Sequence, residues 1–153
     1  MPKRLATPIV AAVACAASVL VLVIAMQHFS SGQVKTAQLT LGTGSSSATY
    51  NLEIVTDSAG QAKGLSGRTS LGKRAGMLFS YGDLQQRCIW MKDMHFSLDI
   101  IWFDASHRVT SIVPNLSPST YPQSYCANAQ YVVELNAGEV AQHGLRPGQV
   151  VKF

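Results

Sequence analysis

The stretch Cys88–Ile112, CIWMKDMHFSLDIIWFDASHRVTSI, decides the fold. It reads as a strand over Cys88–Lys92, a short loop, a second strand over Leu98–Asp104, a turn at Ala105–Arg108 and a third strand over Val109–Val113. Alternation in the second strand puts Leu98, Ile100 and Trp102 on one face and Asp99, Ile101 and Phe103 on the other. Both faces are largely apolar, which predicts a central strand buried on both sides. Asp99 is the exception. A buried carboxylate is costly unless it is paired and hydrogen-bonded, so Asp99 is expected to meet Lys92 or Arg68.

Upstream, Lys35–Leu41 and Thr49–Val55 alternate and form a hairpin across the flexible Gly42–Ala48. Thr56 or Asp57 caps a short helix that Gly64 stops. Gly64–Phe79 holds four glycines and is expected to be irregular. Gly76–Tyr81 is a short strand. Downstream, Asn115–Asn128 reads as a long surface loop, a type that is often functional. Its Tyr121 and Tyr125 could stack on sugar rings or simply anchor the loop. Tyr131–Asn136 is a strand, Gly138–His143 a short helix, Arg146–Gln149 a turn and Val150–Phe153 a last strand. Seven or eight short strands and two short helices make a small β-rich α+β domain, its mixed sheet curling into a partly closed barrel.

The N-terminus sets the compartment. Lys3 and Arg4 precede Ile9–Met26, which carries no charge. Extended over Leu5–Phe29, the segment can cross about 30 Å of hydrocarbon as a helix. A cleaved signal peptide, cut after Val23-Ile24-Ala25, is the alternative, but its apolar region is usually only about 7–15 residues. The expected partition is a signal anchor over 1–29, a short linker and first strand over 30–48, and a single soluble domain over 49–153. Lys3 and Arg4 stay in the cytoplasm. The domain then faces the periplasm or the cell exterior from the cytoplasmic (inner) membrane. Beyond the anchor only Cys88 and Cys126 remain, and an even pair in an oxidising compartment suggests a disulfide. Two unrelated buried thiols are the alternative.

The chain has 12 Lys+Arg and 8 Asp+Glu. Without Lys3 and Arg4 the balance is too even, and too dispersed, for a nucleic-acid footprint. Nucleophile elbows, phosphate loops and zinc-protease motifs are missing. His95, His107 and His143 lie far apart in the chain, so no metal site is assigned, and no cofactor is implied. Arg68, Trp90, Lys92, Asp99, Glu134 and Asn136 are the ligand-binding candidates. Asp99 and Glu134 are the candidate acid–base pair, with Lys92 and Arg68 to hold an anionic group. The competing reading is a buried charge network that fixes the register of the sheet. Trp90, Met91, Trp102 and Phe103 are expected in the core.

In order along the chain come Gly64-Leu65, Arg68, Leu71, Gly76-Met77-Leu78-Phe79, Trp90-Met91-Lys92, Leu98-Asp99-Ile100-Ile101, Tyr131-Val132-Val133-Glu134-Leu135 and Ala137-Gly138. This series resembles the bacterial and archaeal domain of unknown function 192 family, also called uncharacterised protein family 0127, over about Thr49–Phe153. The resemblance implies a small β-rich α+β fold, often exported or membrane-anchored, with no established activity. The chain departs from the family pattern at Gln61, Ser66, Ile89, Asp93, Met94 and Ser97, where the family favours Arg, Met, Phe, Asn, Thr and Pro. The changes at Gln61 and Asp93 alter charge beside the motif, so a ligand held there would differ.

Two functions follow as expectations. The first is a membrane-anchored, extracytoplasmic binding or accessory module without catalysis, its partner an envelope protein or glycan. The second is a hydrolase-like enzyme acting on an envelope glycan or peptide through Asp99 and Glu134.

Overall fold

A computed structural model describes residues 34–153. The expected anchor Ile9–Met26 lies outside the described residues. Among the described residues no helix is long and apolar enough to cross a membrane.

Six strands form one mixed sheet in the order β1-β2-β3-β6-β4-β5. They are β1 (Thr36–Leu41), β2 (Ala48–Val55), β3 (Ala75–Trp90), β4 (Leu98–Phe103), β5 (Val109–Leu116) and β6 (Ser124–Asn136). Two short helices accompany them, α1 (Ser58–Lys63) and α2 (Glu139–His143). The β1–β2 hairpin forms as its alternation predicts. The β2–β3 pair is the parallel one, and its crossover carries α1. Asp57 caps α1 by accepting from the Gly60 N–H at 2.8 Å, which satisfies one of the free donors of the first turn.

All six residues of β4 are buried, and the strand sits between β5 and β6. Its two faces feed two cores. Ile101 and Phe103 join Leu39, Leu52, Leu78, Val133 and Leu135 on one side. Leu98, Ile100 and Trp102 join Phe79, Met91 and Val132 on the other.

The barrel expectation fails. β1 and β5 are the two edges of the sheet and do not pair with each other, and closure requires a first and last strand that pair. The apolar face that closure would have hidden is covered instead by Val140 of α2 and by Leu145, Val151 and Phe153. The C-terminal segment makes a single bridge, Arg108 to Val150, rather than a strand. Two further differences concern β3 and β6. The segment read as two strands around Gly82–Arg87 is one strand of 16 residues, irregular between Ser80 and Gln85. The segment read as a loop over Asn115–Asn128 supplies the end of β5, a single 3-10 turn at Pro118–Thr120 and the start of β6.

Candidate functional site

Strand register settles the expected carboxylate pair. Glu134 of β6 lies opposite Met77 of β3 and Ile100 of β4, and Asp99 lies opposite Leu135. Residues directly opposite share a face. Glu134 therefore points to the core side of Ile100, and Asp99 to that of Ile101. The two carboxyls are on opposite faces of the sheet and cannot act on one bond.

Asp99 is fully buried, but not against a cation. Its Oδ1 accepts from the Asn115 N–H at 2.8 Å and its Oδ2 from the Val140 N–H at 2.7 Å. Asn115 sits in the left-handed region, φ 51°, at the end of β5. Val140 is in the first turn of α2, whose capping residue Gly138 has no side chain to offer. Asp99 takes over the capping role from across the core. The expected pairing with Lys92 or Arg68 is not made. Lys92 is exposed in the loop after β3. Arg68 forks onto Glu53, Nη1 to Oε1 at 2.7 Å and Nη2 to Oε2 at 2.6 Å.

Asn136 is also structural. Its Nδ2 donates to the carbonyls of Leu71 and Gly72 at 3.2 and 3.1 Å, which ties the glycine-rich crossover to β6.

Glu134 is different. It is 5 % exposed, its carboxyl makes no hydrogen bond to another described residue, and its oxygens keep access to the cavity beside it. Burial pushes its pKa up to about 8, and the nearby Arg68 guanidinium only partly offsets this. The carboxyl is therefore largely protonated at neutral pH, one O–H donor with acceptor capacity to spare. It faces a cavity of about 230 Å3 lined by Gln61, Gly64, Ser66, Phe79, Tyr81, Ile89, Trp90 and Leu98, among others.

Three elements supply most of the cavity wall, with Ser66 and Met94 from loops and Leu98 of β4 completing it. The C-terminal end of α1 supplies Gln61 and Gly64. Gly64 has φ 48° and ψ −131°, a combination that L residues rarely adopt. A Cβ there would lie 3.3 Å from the Phe79 ring and 4.0 Å from Glu134 Oε2, so its absence keeps the approach to the carboxyl open. β3 supplies Phe79 before its irregularity, Tyr81 within it, and Cys88, Ile89 and Trp90 after it. β6 supplies Glu134. Burial raises the Tyr81 pKa, and the Arg87 guanidinium lies 4.1 Å from the centre of its ring. The Cys88–Cys126 disulfide, with Cα atoms 4.1 Å apart, joins β3 to β6 at the wall of the cavity.

Trp90 is half-exposed at 50 %, whereas Trp102 is 1 % exposed. The core assignment holds for Trp102, Met91 and Phe103 and fails for Trp90, the last residue of β3. Of the expected candidates, the structure brings Trp90 and Glu134 to one pocket and sends Arg68, Lys92, Asp99 and Asn136 elsewhere. Gln61, Gly64, Ser66 and Tyr81 are pocket residues that sequence reasoning missed as a site. The signals in the sequence are the polar Glu134 inside an otherwise apolar strand and the departure from the family pattern at Gln61.

A second polar group lies on the other face. Tyr50 donates to Glu139, and the His143 Nε2 stands 3.9 Å from the same carboxylate. The His143 Nδ1 donates to the Ser46 carbonyl at 2.9 Å. Burial and the Glu139 carboxylate together raise the Tyr50 pKa. His107 stacks on Phe153 at 4.1 Å, so these histidines serve separate local contacts.

A crystal structure of a protein of unknown function from Novosphingobium aromaticivorans is 32% identical to this chain, with a TM-score of 0.71. The match covers 82% of this chain and 90% of that one. A crystal structure from Sinorhizobium meliloti, described provisionally as a transcription regulator, is 28% identical over 79% of this chain and 97% of its own, with a TM-score of 0.69. No curated protein matches the chain. Residues 39–153 match the family model described as "Uncharacterized ACR". The chain belongs to the domain of unknown function 192 family.

Proposed function

We propose that this protein is a non-catalytic binding or accessory module of the cell envelope, held at the cytoplasmic membrane by Ile9–Met26, with its ligand seated over Glu134. The observation that carries this reading is the lone Glu134 carboxyl, without a hydrogen bond to another described residue and facing an open cavity. Water in the cavity can meet this carboxyl, and a ligand that displaces that water is held only if it supplies a matching hydrogen bond, which gives the pocket a polar anchor in an otherwise apolar wall. The hydrolase alternative needs two carboxyls flanking one bond, about 5–10 Å apart on the same side. Asp99 is committed to two backbone N–H groups on the opposite face, which speaks against that pair acting on one bond.

The test uses the full chain. Protease added to spheroplasts is expected to digest the domain from outside. The purified protein is expected to be retained by isolated envelope material without releasing sugar or amine products, and Glu134→Ala should lose that retention. Product release that disappears in Glu134→Gln would make it an enzyme instead. Protection from external protease would place it on the wrong side of the membrane for this role.

A further inference from the structure

We infer that the Glu134 pocket takes a single uncharged sugar ring, its apolar face laid on Trp90 and a ring oxygen substituent hydrogen-bonded to Glu134. The inference rests on the reading of this cavity as the ligand site and names what enters it.

Size comes first. At about 230 Å3 the cavity lies below the range of about 300–1,000 Å3 that drug-sized ligands occupy, so it suits one ring rather than a chain. The remainder of a polymer would extend past the rim.

Charge comes second. Lys63 lies on the rim, Arg68 acts electrostatically on Glu134 and Arg87 covers Tyr81. This field opposes an ammonium ligand, although aromatic residues stand nearby. An anionic ligand lacks a clamp, because Arg68 is forked onto Glu53 and Arg87 is paired with Asp83. Only the exposed Lys63 is left to meet a carboxylate or phosphate. An uncharged ligand fits what remains.

Hydrogen-bonding capacity comes third. Gln61 uses its amide N–H on the Ser80 carbonyl at 3.2 Å, and Ser66 uses its hydroxyl proton on the Lys92 carbonyl at 2.8 Å. Both keep an oxygen free to accept. Glu134, in its protonated form, donates. With the second Gln61 N–H, the accepting oxygen of Glu134 and the Tyr81 hydroxyl, the site offers both donors and acceptors, which matches hydroxyl groups that give and take. A purely apolar ligand would leave the Glu134 carboxyl unmade. Ile89, Met94 and Leu98 and the half-exposed Trp90 indole supply the apolar surface that the C–H face of a pyranose covers.

The experiment titrates the full chain, in a detergent without a sugar headgroup, with N-acetylglucosamine and with glucose. Glucuronate and glycine betaine are the comparators. Binding is read from the saturation-transfer NMR signal of each small molecule. A ligand of this size is expected to bind at about millimolar Kd. Trp90→Ala should weaken a neutral sugar by about tenfold or more. Because Trp90 is half-exposed the variant is expected to fold, and Trp90→Phe should recover part of the affinity. Glu134→Gln should bind, since the amide also donates and accepts, whereas Glu134→Ala should not.

Tighter binding of betaine or glucuronate than of both neutral sugars would overturn the sugar assignment and leave the pocket as the ligand site. Silence from both neutral sugars would also overturn it. If Glu134→Ala still lost retention on envelope material, that silence would count against the sugar and not against the binding role. Equal binding by wild type and Trp90→Ala would overturn the placement on Trp90.

Discussion

Asp99→Ala is expected to lower the unfolding free energy by about 2–6 kcal/mol, each of the two orphaned buried N–H groups costing about 1–3 kcal/mol. The Asn115 and Val140 N–H groups both end on this carboxylate. They belong to the end of β5 and the first turn of α2, so one side chain ties two peripheral elements to the central strand. Asp99→Asn keeps the shape and one carbonyl oxygen, but its NH2 group meets the other N–H donor to donor. It should lose about half as much. Urea unfolding of the two variants, compared at constant m-value, reads both numbers. An alanine variant within about 1 kcal/mol of wild type would mean that water or a local shift replaces the carboxylate, and the capping role would fall.

Replacing Cys88 and Cys126 by alanine is expected to cost about 4 kcal/mol. The bridge closes a sequence separation of 38, and the chain-entropy relation gives about 3 kcal/mol for 15 residues and about 4.7 for 100. Its position adds a functional consequence. Cys88 lies on the cavity wall and is followed directly by Ile89 and Trp90. Loss of the bridge should therefore weaken ligand binding as well as the fold, with the part of β3 after its irregularity loosening first. Unfolding with and without reductant measures the stability change. Identical curves under the two conditions would show that the bridge does not contribute.

The sequence made the central strand legible because LDIIWF is apolar on both faces, a pattern that only a strand covered on both sides tolerates. It made the α1 cap legible because Asp57 precedes the helix directly. It also showed that Asp99 is buried. It did not show Asp99's partners, because backbone N–H groups leave no mark in a sequence and Asn115 and Val140 are distant in the chain. Side-chain cations do leave a mark, and Lys92 and Arg68 are the ones the pattern offers. Counting strands could not reveal whether the sheet closes, since that depends on which edges meet. The polar run GDLQQR over Gly82–Arg87 disguised one bulged strand as two strands and a loop. Trp90 was misassigned because a tryptophan that ends a strand has the same letter whether its ring turns inward or out. The pocket itself is assembled from α1, separate parts of β3, the start of β4 and β6. No linear motif announces it; Glu134, a charge inside YVVELN, and the candidate Trp90 point there, and Gln61 does so only as a departure from the family pattern.

The central claim is that Glu134 is an uncharged carboxyl at the floor of a ligand pocket. Its ordinary value is 4.5, and burial raises it to about 8. The sign follows directly. Below about pH 4.5 both folded and unfolded chains are protonated at this residue, and its contribution is constant. Between that pH and about 8 the unfolded chain gives up a proton that the folded chain keeps. Stability from this residue then falls by about 1.4 kcal/mol per pH unit as pH rises, and Glu134→Gln removes that slope. The most direct measurement is the carbon NMR shift of the Glu134 side-chain carboxyl between pH 3 and pH 10 (a range set to bracket both values). A midpoint near 8 is the predicted result, and a midpoint at the ordinary glutamate value would contradict it.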